Sequence, residues 1–123
     1  MKTLVLDSSI WVEYFADRPK ARAIESFIQD PARLVVPAVA IYEVYKRIKI
    51  GIGKEAAEAA VGRMLMSRVM PIDSDLALQA ADLSIETKLA MGDALVLATA
   101  RACGGELITL DSDFKGLPGA RVI

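Results

Sequence analysis

The sequence predicts an α/β domain of three layers, α/β/α, around a central, mainly parallel sheet of four to five strands. Short apolar runs recur along the chain, as is typical of strands that are buried on both faces. Segments with helical periodicity separate these runs, and the length of 123 residues suits one domain. We therefore expect a single domain over residues 1–123.

The first predicted strand covers residues 4–6 and ends at Asp7. Ser8 or Ser9 is expected to cap a first helix that runs to about Phe15. A second helix is predicted over residues 20–29, because Pro31 disfavours helix in the residue before it. These elements begin the alternation of strands and helices.

The second strand is predicted at residues 34–36, and Pro37 suits the first turn of a third helix that reaches about residue 50. Residues 55–67 predict a fourth helix, residues 68–72 a weaker strand, and residues 74–87 a fifth helix. The alternation thus continues through the middle of the chain.

Residues 93–102 are apolar on almost every side, which predicts a helix buried against the sheet. Residues 106–110 form the fourth predicted strand, and residues 120–123 are a candidate fifth strand. The order of elements favours parallel strands joined by right-handed crossovers.

The composition excludes several kinds of chemistry. The formal net charge is −1, so bulk charge does not indicate nucleic-acid binding. Histidine is absent, which excludes Ser-His-Asp and Cys-His catalysis and zinc held by imidazole. The single cysteine, Cys103, excludes an internal disulfide. Catalysis must therefore use carboxylates, hydroxyls, lysine, arginine or a metal held by oxygen.

The sequence gives no sign of export or of membrane insertion. The N-terminal residues reach Asp7 too early for a signal peptide. No stretch approaches the ~20 apolar residues that a membrane span needs. We expect a cytoplasmic protein with no membrane partner.

Topology places two acids at one edge of the predicted sheet. Asp7 follows the first strand, and Asp111 follows the fourth, and sites in parallel sheets form beyond the carboxyl ends of the strands. Asp7 also suits a helix cap, and the segment from Asp111 to Asp113 suits a turn. Taken alone, these acids are therefore weak indications of function.

Two more acids come from helices. Glu43 lies on the third helix, where a solvated pair with Arg47 at i,i+4 explains it equally well. Asp93 opens the apolar helix and suits an N-cap, a role that is compatible with a ligand role.

The chemistry that would need these acids together is the binding of a hard cation. Converging carboxylates repel one another unless a cation neutralises them, and Mg²⁺ and Mn²⁺ prefer oxygen ligands. Such ions can activate water and stabilise the charge of a phosphodiester during hydrolysis. This chemistry requires no histidine.

Four segments that carry the acids follow one another at suitable separations: Leu-Val-Leu-Asp-Ser-Ser-Ile-Trp from residue 4, Val-Pro-Ala-Val-Ala-Ile-Tyr-Glu-Val from 36, Gly-Asp-Ala-Leu-Val-Leu-Ala-Thr-Ala from 92 and Leu-Ile-Thr-Leu-Asp-Ser-Asp-Phe from 107. Together they resemble the PIN-domain nucleases, specifically the VapC-type toxins of toxin–antitoxin (VapBC) systems. The resemblance covers essentially the whole chain.

The resemblance implies a Mg²⁺- or Mn²⁺-dependent endoribonuclease that cuts cellular RNA and arrests growth. It also implies a homodimer that a cognate antitoxin protein inhibits. Asp7 and Asp93 would be the principal metal ligands, and Glu43 a further ligand, either directly or through water. Asp111 or Asp113 would supply the fourth acid, and this choice stays open.

The resemblance also implies supporting roles and shows one departure. The hydroxyls of Ser8, Ser9 and Thr109 would orient the ligands or the attacking water. Gly92 stands before the third acid, where alanine or a similar small residue is common in the family. We expect this glycine to change the helix entry slightly and to leave the ligand intact.

The residues that contact RNA are harder to predict. Lys46, Arg47 and Lys49 follow Glu43 and are candidates for phosphate contacts, although a solvated basic helix face explains each of them better. The aromatic residues of the first helix, from Trp11 to Phe15, are expected in the core or at a partner interface.

Other functions predict different acids. A phospho-acceptor domain of receiver type needs paired acids after the first strand, where Asp7 stands alone. It also needs an aspartate at the end of the third strand, near which the sequence offers only Asp73. A phosphatase of the haloacid dehalogenase type needs Asp-x-Asp, which residues 7–9 lack. A catalytically idle PIN-like binding module is a further alternative.

Overall fold

The structure is a computed structural model that describes residues 2–123. Strands and helices alternate along most of this part of the chain. The five strands within residues 2–123 are β1 (Leu4–Leu6), β2 (Val35–Pro37), β3 (Arg68–Met70), β4 (Glu106–Thr109) and β5 (Ala120–Val122). The six α-helices within the same residues are α1 (Ser8–Phe15), α2 (Ala21–Ile28), α3 (Ala38–Gly51), α4 (Lys54–Met64), α5 (Ser74–Thr87) and α6 (Met91–Ala102).

All the strand pairs are parallel, as the sequence predicts. Strand β4 lies between β1 and β5 in a sheet of three strands, and β2 pairs with β3 in a second, smaller sheet. A single parallel bridge between Leu4 and Leu34 connects the two sheets. Five strands are therefore present in the described chain, but the central layer is divided into a sheet of three and a sheet of two.

The side chains of β1 point alternately to two separate cores. Leu4 and Leu6 belong to a hydrophobic cluster that includes residues of α1, α2, α3 and α4. Val5, between them, belongs to a second cluster with residues of α5 and α6. Helices thus cover both faces of the strands, which confirms the predicted three layers.

Helix α6 is the most deeply buried helix, in agreement with its apolar sequence. Its residues from Ala94 to Ala100 are all buried. Thr99 is the polar residue among them, and its hydroxyl donates a hydrogen bond to the carbonyl oxygen of Leu95 at 2.8 Å. The hydroxyl is therefore satisfied within the helix.

The structure corrects three predicted helix starts. The N-cap of α1 is Asp7, whose side chain accepts from the Ser8 backbone N–H, and not a serine; a carboxylate is favoured there by the positive end of the helix. Pro37 ends β2 and is the N-cap of α3, outside its first turn. Ala90 is the N-cap of α6, which places Asp93 inside the first turn.

No helix within residues 2–123 has the length and apolar character that a membrane crossing requires.

Phe114 anchors the turn that follows β4. Its side chain is fully buried in the cluster formed with α5 and α6, and it lies directly after the acidic residues of the turn. The position of those acids therefore depends on the packing of one aromatic ring.

We expect Phe114→Ala to lower the free energy of unfolding by about 3–5 kcal/mol, because removal of a large buried side chain leaves a cavity. Urea denaturation at an unchanged m-value measures this loss. Lys115→Ala, at the exposed next position, is the control and should stay within about 0.5 kcal/mol of the wild type. A loss below about 1 kcal/mol for Phe114→Ala would contradict this anchoring.

Candidate active site

Asp7 is a buried carboxylate that is held by three hydrogen bonds. Only 3% of the residue is exposed. Its Oδ1 accepts from the Ser8 backbone N–H at 2.8 Å. Its Oδ2 accepts from the Ser9 hydroxyl and from the Thr109 hydroxyl, both at 2.8 Å. Since a carboxylate oxygen has two lone pairs, Oδ1 retains acceptor capacity for another ligand.

The same two hydroxyls connect Asp7 to the segment after β4. The Ser9 Oγ accepts from the Leu110 backbone N–H at 3.1 Å. The Thr109 Oγ1 accepts from the Asp111 backbone N–H at 3.0 Å. Each hydroxyl therefore donates to Asp7 and accepts from this segment, which fixes the two strand ends relative to each other.

Three further acids form a tight cluster. One carboxylate oxygen from each of Asp93, Asp111 and Asp113 lies within 4.8 Å of the others. Asp111 caps a short 3₁₀ turn, and its Oδ1 accepts from the Asp113 backbone N–H at 2.9 Å. Asp93 projects from the first turn of α6. Both candidates for the fourth acid are thus close to Asp93.

Glu43 approaches the cluster from α3. Burial is the main cause that raises the pKa of the Glu43 carboxyl, and the negative charge of Asp7 raises it further. Two smaller effects lower the pKa of Glu43: hydrogen bonding with the Ser8 side chain and the positive charge of Arg47. Glu43 therefore lies in the electrostatic field of Asp7.

The pKa of Asp93 is raised by its surroundings. Burial raises the pKa of Asp93 to about 6, together with the charges of the other four acids. In decreasing order of effect, these charges are those of Asp7, Asp111, Glu43 and Asp113. Asp93, Asp111 and Asp113 therefore converge. Asp7 and Glu43 lie outside this group of three, but near enough for their charges to act on Asp93.

The basic residues of α3 lie outside this cluster. Among the residues that the structure describes, the ion pairs within 4.0 Å do not include Glu43 with Arg47, so the i,i+4 pair that was the alternative explanation of Glu43 does not form. Lys46 and Lys49 are exposed, and their ammonium groups lie near the rings of Tyr42 and Tyr45. No described contact links these lysines to the acids.

The aromatic residues of α1 behave as core residues. Trp11 is 1% exposed and stacks on Phe15, with 5.8 Å between the ring centroids. Tyr14 and Phe15 are partly buried against the hydrophobic cluster that contains Leu4, Leu6 and Trp11. A buried Trp11 is not available to stack on a nucleic-acid base.

The donor set fits a hard divalent cation. The ligand atoms at the site are carboxylate oxygens, which Mg²⁺ and Mn²⁺ prefer. After burial, it is the negative charge of the other four acids that raises the pKa of Asp93. A dication would neutralise it.

Comparison with known proteins identifies a family for nearly the whole chain. The model of the family described as PIN domain matches residues 4–120. A search of curated protein sequences finds no match to this chain.

Solved structures share the fold over almost the full length. A toxin–antitoxin complex from Klebsiella pneumoniae has a TM-score of 0.81 and 26% identity, covering 98% of this chain and 97% of that chain. Mycobacterium tuberculosis VapC20, a toxin that cleaves the Sarcin-Ricin loop, has a TM-score of 0.79 and 20% identity, covering 95% and 96%. DNA-bound VapBC from Salmonella typhimurium has a TM-score of 0.75 and 17% identity, covering 100% and 98%.

The structure also gives Gly92 a place in the site that the sequence pattern did not predict. The carboxylate of Glu43 occupies the space in which a side chain at position 92 would lie. The glycine is visible in the sequence, but its neighbour across the fold is not.

We expect Thr109→Val to lower the free energy of unfolding by about 2 kcal/mol, because it removes a donor to buried Asp7 and an acceptor for the Asp111 N–H. Thr99→Val is the matched control. Thr99 is equally buried, but its hydroxyl bonds only to a helix carbonyl, so we expect a loss below about 1 kcal/mol. Equal losses, measured by urea denaturation in EDTA, would contradict the role of Thr109.

We expect Asp93→Asn to stabilise the metal-free protein at pH 7. The pKa of Asp93 is raised in the folded state to about 6, so the folded protein binds more protons than the unfolded chain between about pH 4 and 6. Stability contributed by this group is therefore lost as the pH rises through 6. Solvent screening limits the gain from Asp93→Asn to about 1 kcal/mol.

Thermal unfolding in EDTA at pH 7 and pH 4 measures this difference. The advantage of Asp93→Asn should disappear at the lower pH, at which the wild-type carboxyl is protonated. Asp82→Asn, at an exposed position of α5, should follow the wild type at both pH values. An Asp93→Asn variant that is less stable than the wild type at pH 7 would refute the electrostatic interpretation.

Proposed function

Because the chain belongs to the PIN domain family, we propose that it is a metal-dependent endoribonuclease that hydrolyses phosphodiester bonds of cellular RNA. We further propose that it is the toxin of a type II toxin–antitoxin pair. The observation that carries the proposal is the cluster of Asp93, Asp111 and Asp113, with Asp7 and Glu43 near enough for their charges to raise the pKa of Asp93. Hydrolysis of phosphodiesters at such acidic sites depends on divalent cations.

Asp7 and Asp93 are the proposed principal ligands for Mg²⁺ or Mn²⁺. The lone pair that Oδ1 of Asp7 retains and the uncompensated charge around Asp93 support this assignment. Glu43 would be a further ligand, directly or through water. Asp111 would be the fourth acid, since it is partly buried and its charge acts on Asp93 more strongly than that of exposed Asp113.

The remaining polar groups of the site would hold these ligands in place. A bound divalent cation would supply Lewis-acid stabilisation of the phosphate charge and would lower the pKa of a water molecule. The hydroxyls of Ser9 and Thr109 restrain Asp7 by donating to Oδ2. The Ser8 backbone N–H donates a hydrogen bond to Asp7, and the Ser8 side chain lowers the pKa of Glu43.

The RNA would approach along the exposed face of α3. Lys46 and Arg47 follow Glu43 on this helix, and both are exposed. We assign them contacts with phosphates that flank the scissile bond, because Lys and Arg supply the electrostatic part of nucleic-acid binding. An RNA substrate also implies a cytoplasmic location.

A cognate antitoxin and a second copy of the chain are the proposed protein partners. The similarity to a toxin–antitoxin complex supports the antitoxin. Exposed apolar side chains support the existence of a protein interface: a groove of about 750 Å³ is lined by Tyr42, Ile72, Ile85 and Met91, among others. Apolar patches of this kind mark interaction sites.

The alternatives have less support. Asp73, which a receiver-type phospho-acceptor would use, caps α5 by accepting from the Leu76 backbone N–H at 2.9 Å. Membership of the PIN domain family also disfavours that function. A catalytically idle PIN-like module would differ from the proposed enzyme only in that it does not cleave RNA, and the following experiment measures this cleavage.

We expect the purified protein to cleave total or transfer RNA in Mg²⁺ and to lose this activity in EDTA. Asp7→Asn should lower the cleavage rate by about a hundredfold or more, because it removes the charge of a principal ligand. Asp82→Asn, on the exposed face of α5, is the matched control and should retain the wild-type rate.

The outcomes distinguish the alternatives. Equal cleavage by the wild type and Asp7→Asn would show a contaminating nuclease, and no cleavage by either would favour the idle module. For the toxin role, expression of the wild type should arrest bacterial growth, and Asp7→Asn should not. Growth arrest by both proteins would contradict a toxin that acts through this site.

A further inference from the structure

We propose that Gly92 is a positioning residue for Glu43: the missing side chain at position 92 lets the Glu43 carboxylate lie against the first turn of α6, next to Asp93. This inference rests on the proposed function, since it concerns how one of the proposed metal ligands is placed. Gly92 itself would touch neither metal nor RNA.

The geometry comes from the space around Gly92. A Cβ built there would lie 2.8 Å from Oε2 and 3.6 Å from Cδ of Glu43. Real Cβ atoms essentially never approach another heavy atom more closely than 3.0 Å. An alanine at position 92 would therefore displace the carboxylate, whereas the present glycine leaves that space to Glu43.

The backbone gives no other reason for glycine at this position. Gly92 lies inside α6 and is not among the glycines with a positive φ angle, so any L-residue can adopt its conformation. Glycine is also a weaker helix former than alanine. Local structure thus favours alanine, and the contact with Glu43 favours glycine.

The place that Glu43 occupies is electrostatically suitable. The first N–H groups of a helix have no acceptor within the helix, and the helix dipole places positive charge there. A carboxylate from α3 against this turn meets that positive charge where Asp93 also emerges, which opposes the burial and the charge of Asp7 that raise the pKa of Glu43. Gly92 thus lets Glu43 of α3 lie against the turn of α6 that carries Asp93.

The displacement that alanine requires is comparable with the positional tolerance of a metal site. Oε2 would have to move by about 0.2 Å to reach the shortest contacts that real Cβ atoms show, at 3.0 Å, and by about 0.6 Å to reach ordinary contact, at 3.4 Å. Functional geometries are held within about 0.5 Å. Since the atom that must move is the end of a flexible side chain, we expect Gly92→Ala to fold and to place Glu43 incorrectly.

The test is a double-mutant cycle read out by Mn²⁺ binding, using electron paramagnetic resonance of the free ion. We expect Gly92→Ala to weaken Mn²⁺ binding about tenfold, in the range found for residues that orient metal ligands. In a Glu43→Ala background, where no carboxylate has to move, Gly92→Ala should change the affinity by less than about twofold.

Gly62→Ala is the matched control. Gly62 is also a helical glycine, in α4, and a Cβ there would have no atom within 4 Å. It should leave Mn²⁺ affinity unchanged and raise the Tm by about 4 °C. In metal-free protein, Gly92→Ala should raise the Tm less in the wild type than in the Glu43→Ala background.

The possible results separate this inference from the proposed function. If the wild type binds Mn²⁺ and Gly92→Ala binds it with an affinity within twofold of the wild type, the inference is overturned and the proposed function is not. An equal loss with and without Glu43 would also overturn it, because the effect would not pass through that carboxylate. Wild-type protein that binds no Mn²⁺ would overturn the proposed function and this inference together.

Discussion

The parallel pairing of β1 with β4 is the constraint on which the rest of the candidate site depends. It places Asp7 beside the end of β4, with the Asp7 backbone N–H donating to the carbonyl oxygen of Ile108 at 2.9 Å. Only in this register can Thr109 reach Asp7, 102 positions away in the chain. The turn with Asp111 and Asp113 then follows directly.

The site contains one carboxylate whose surroundings stabilise its negative charge and one whose surroundings destabilise it. Asp7 is buried, but three donors satisfy it. Asp93 has four acidic neighbours whose charges raise its pKa. A protein selected only for stability would avoid this cluster, since converging like charges destabilise the folded state. The proposed function gives this cluster a role, because a bound cation would neutralise these charges.

Much of the fold could be predicted from the sequence because its signals are local. The apolar run at residues 4–6 and the nearly all-apolar α6 appear where periodicity places them. The helix starts were less accurate: Asp7, and not a serine, caps α1, and Asp93 lies within the first turn of α6. The alternative explanation of Glu43, an ion pair with Arg47, does not hold, because no ion pair within 4.0 Å joins these residues in the described chain.

The sequence by itself determined the order of the elements and the parallel pairing of the strands, because periodicity and residue chemistry are encoded locally. The tertiary structure decided which atoms meet. It divided the strands into two sheets, set the hydroxyls of Ser9 and Thr109 on Asp7, and placed Glu43 in the space beside Gly92. These contacts join segments that are distant in the chain, and only the packing of helices on both faces of the strands fixes their distances.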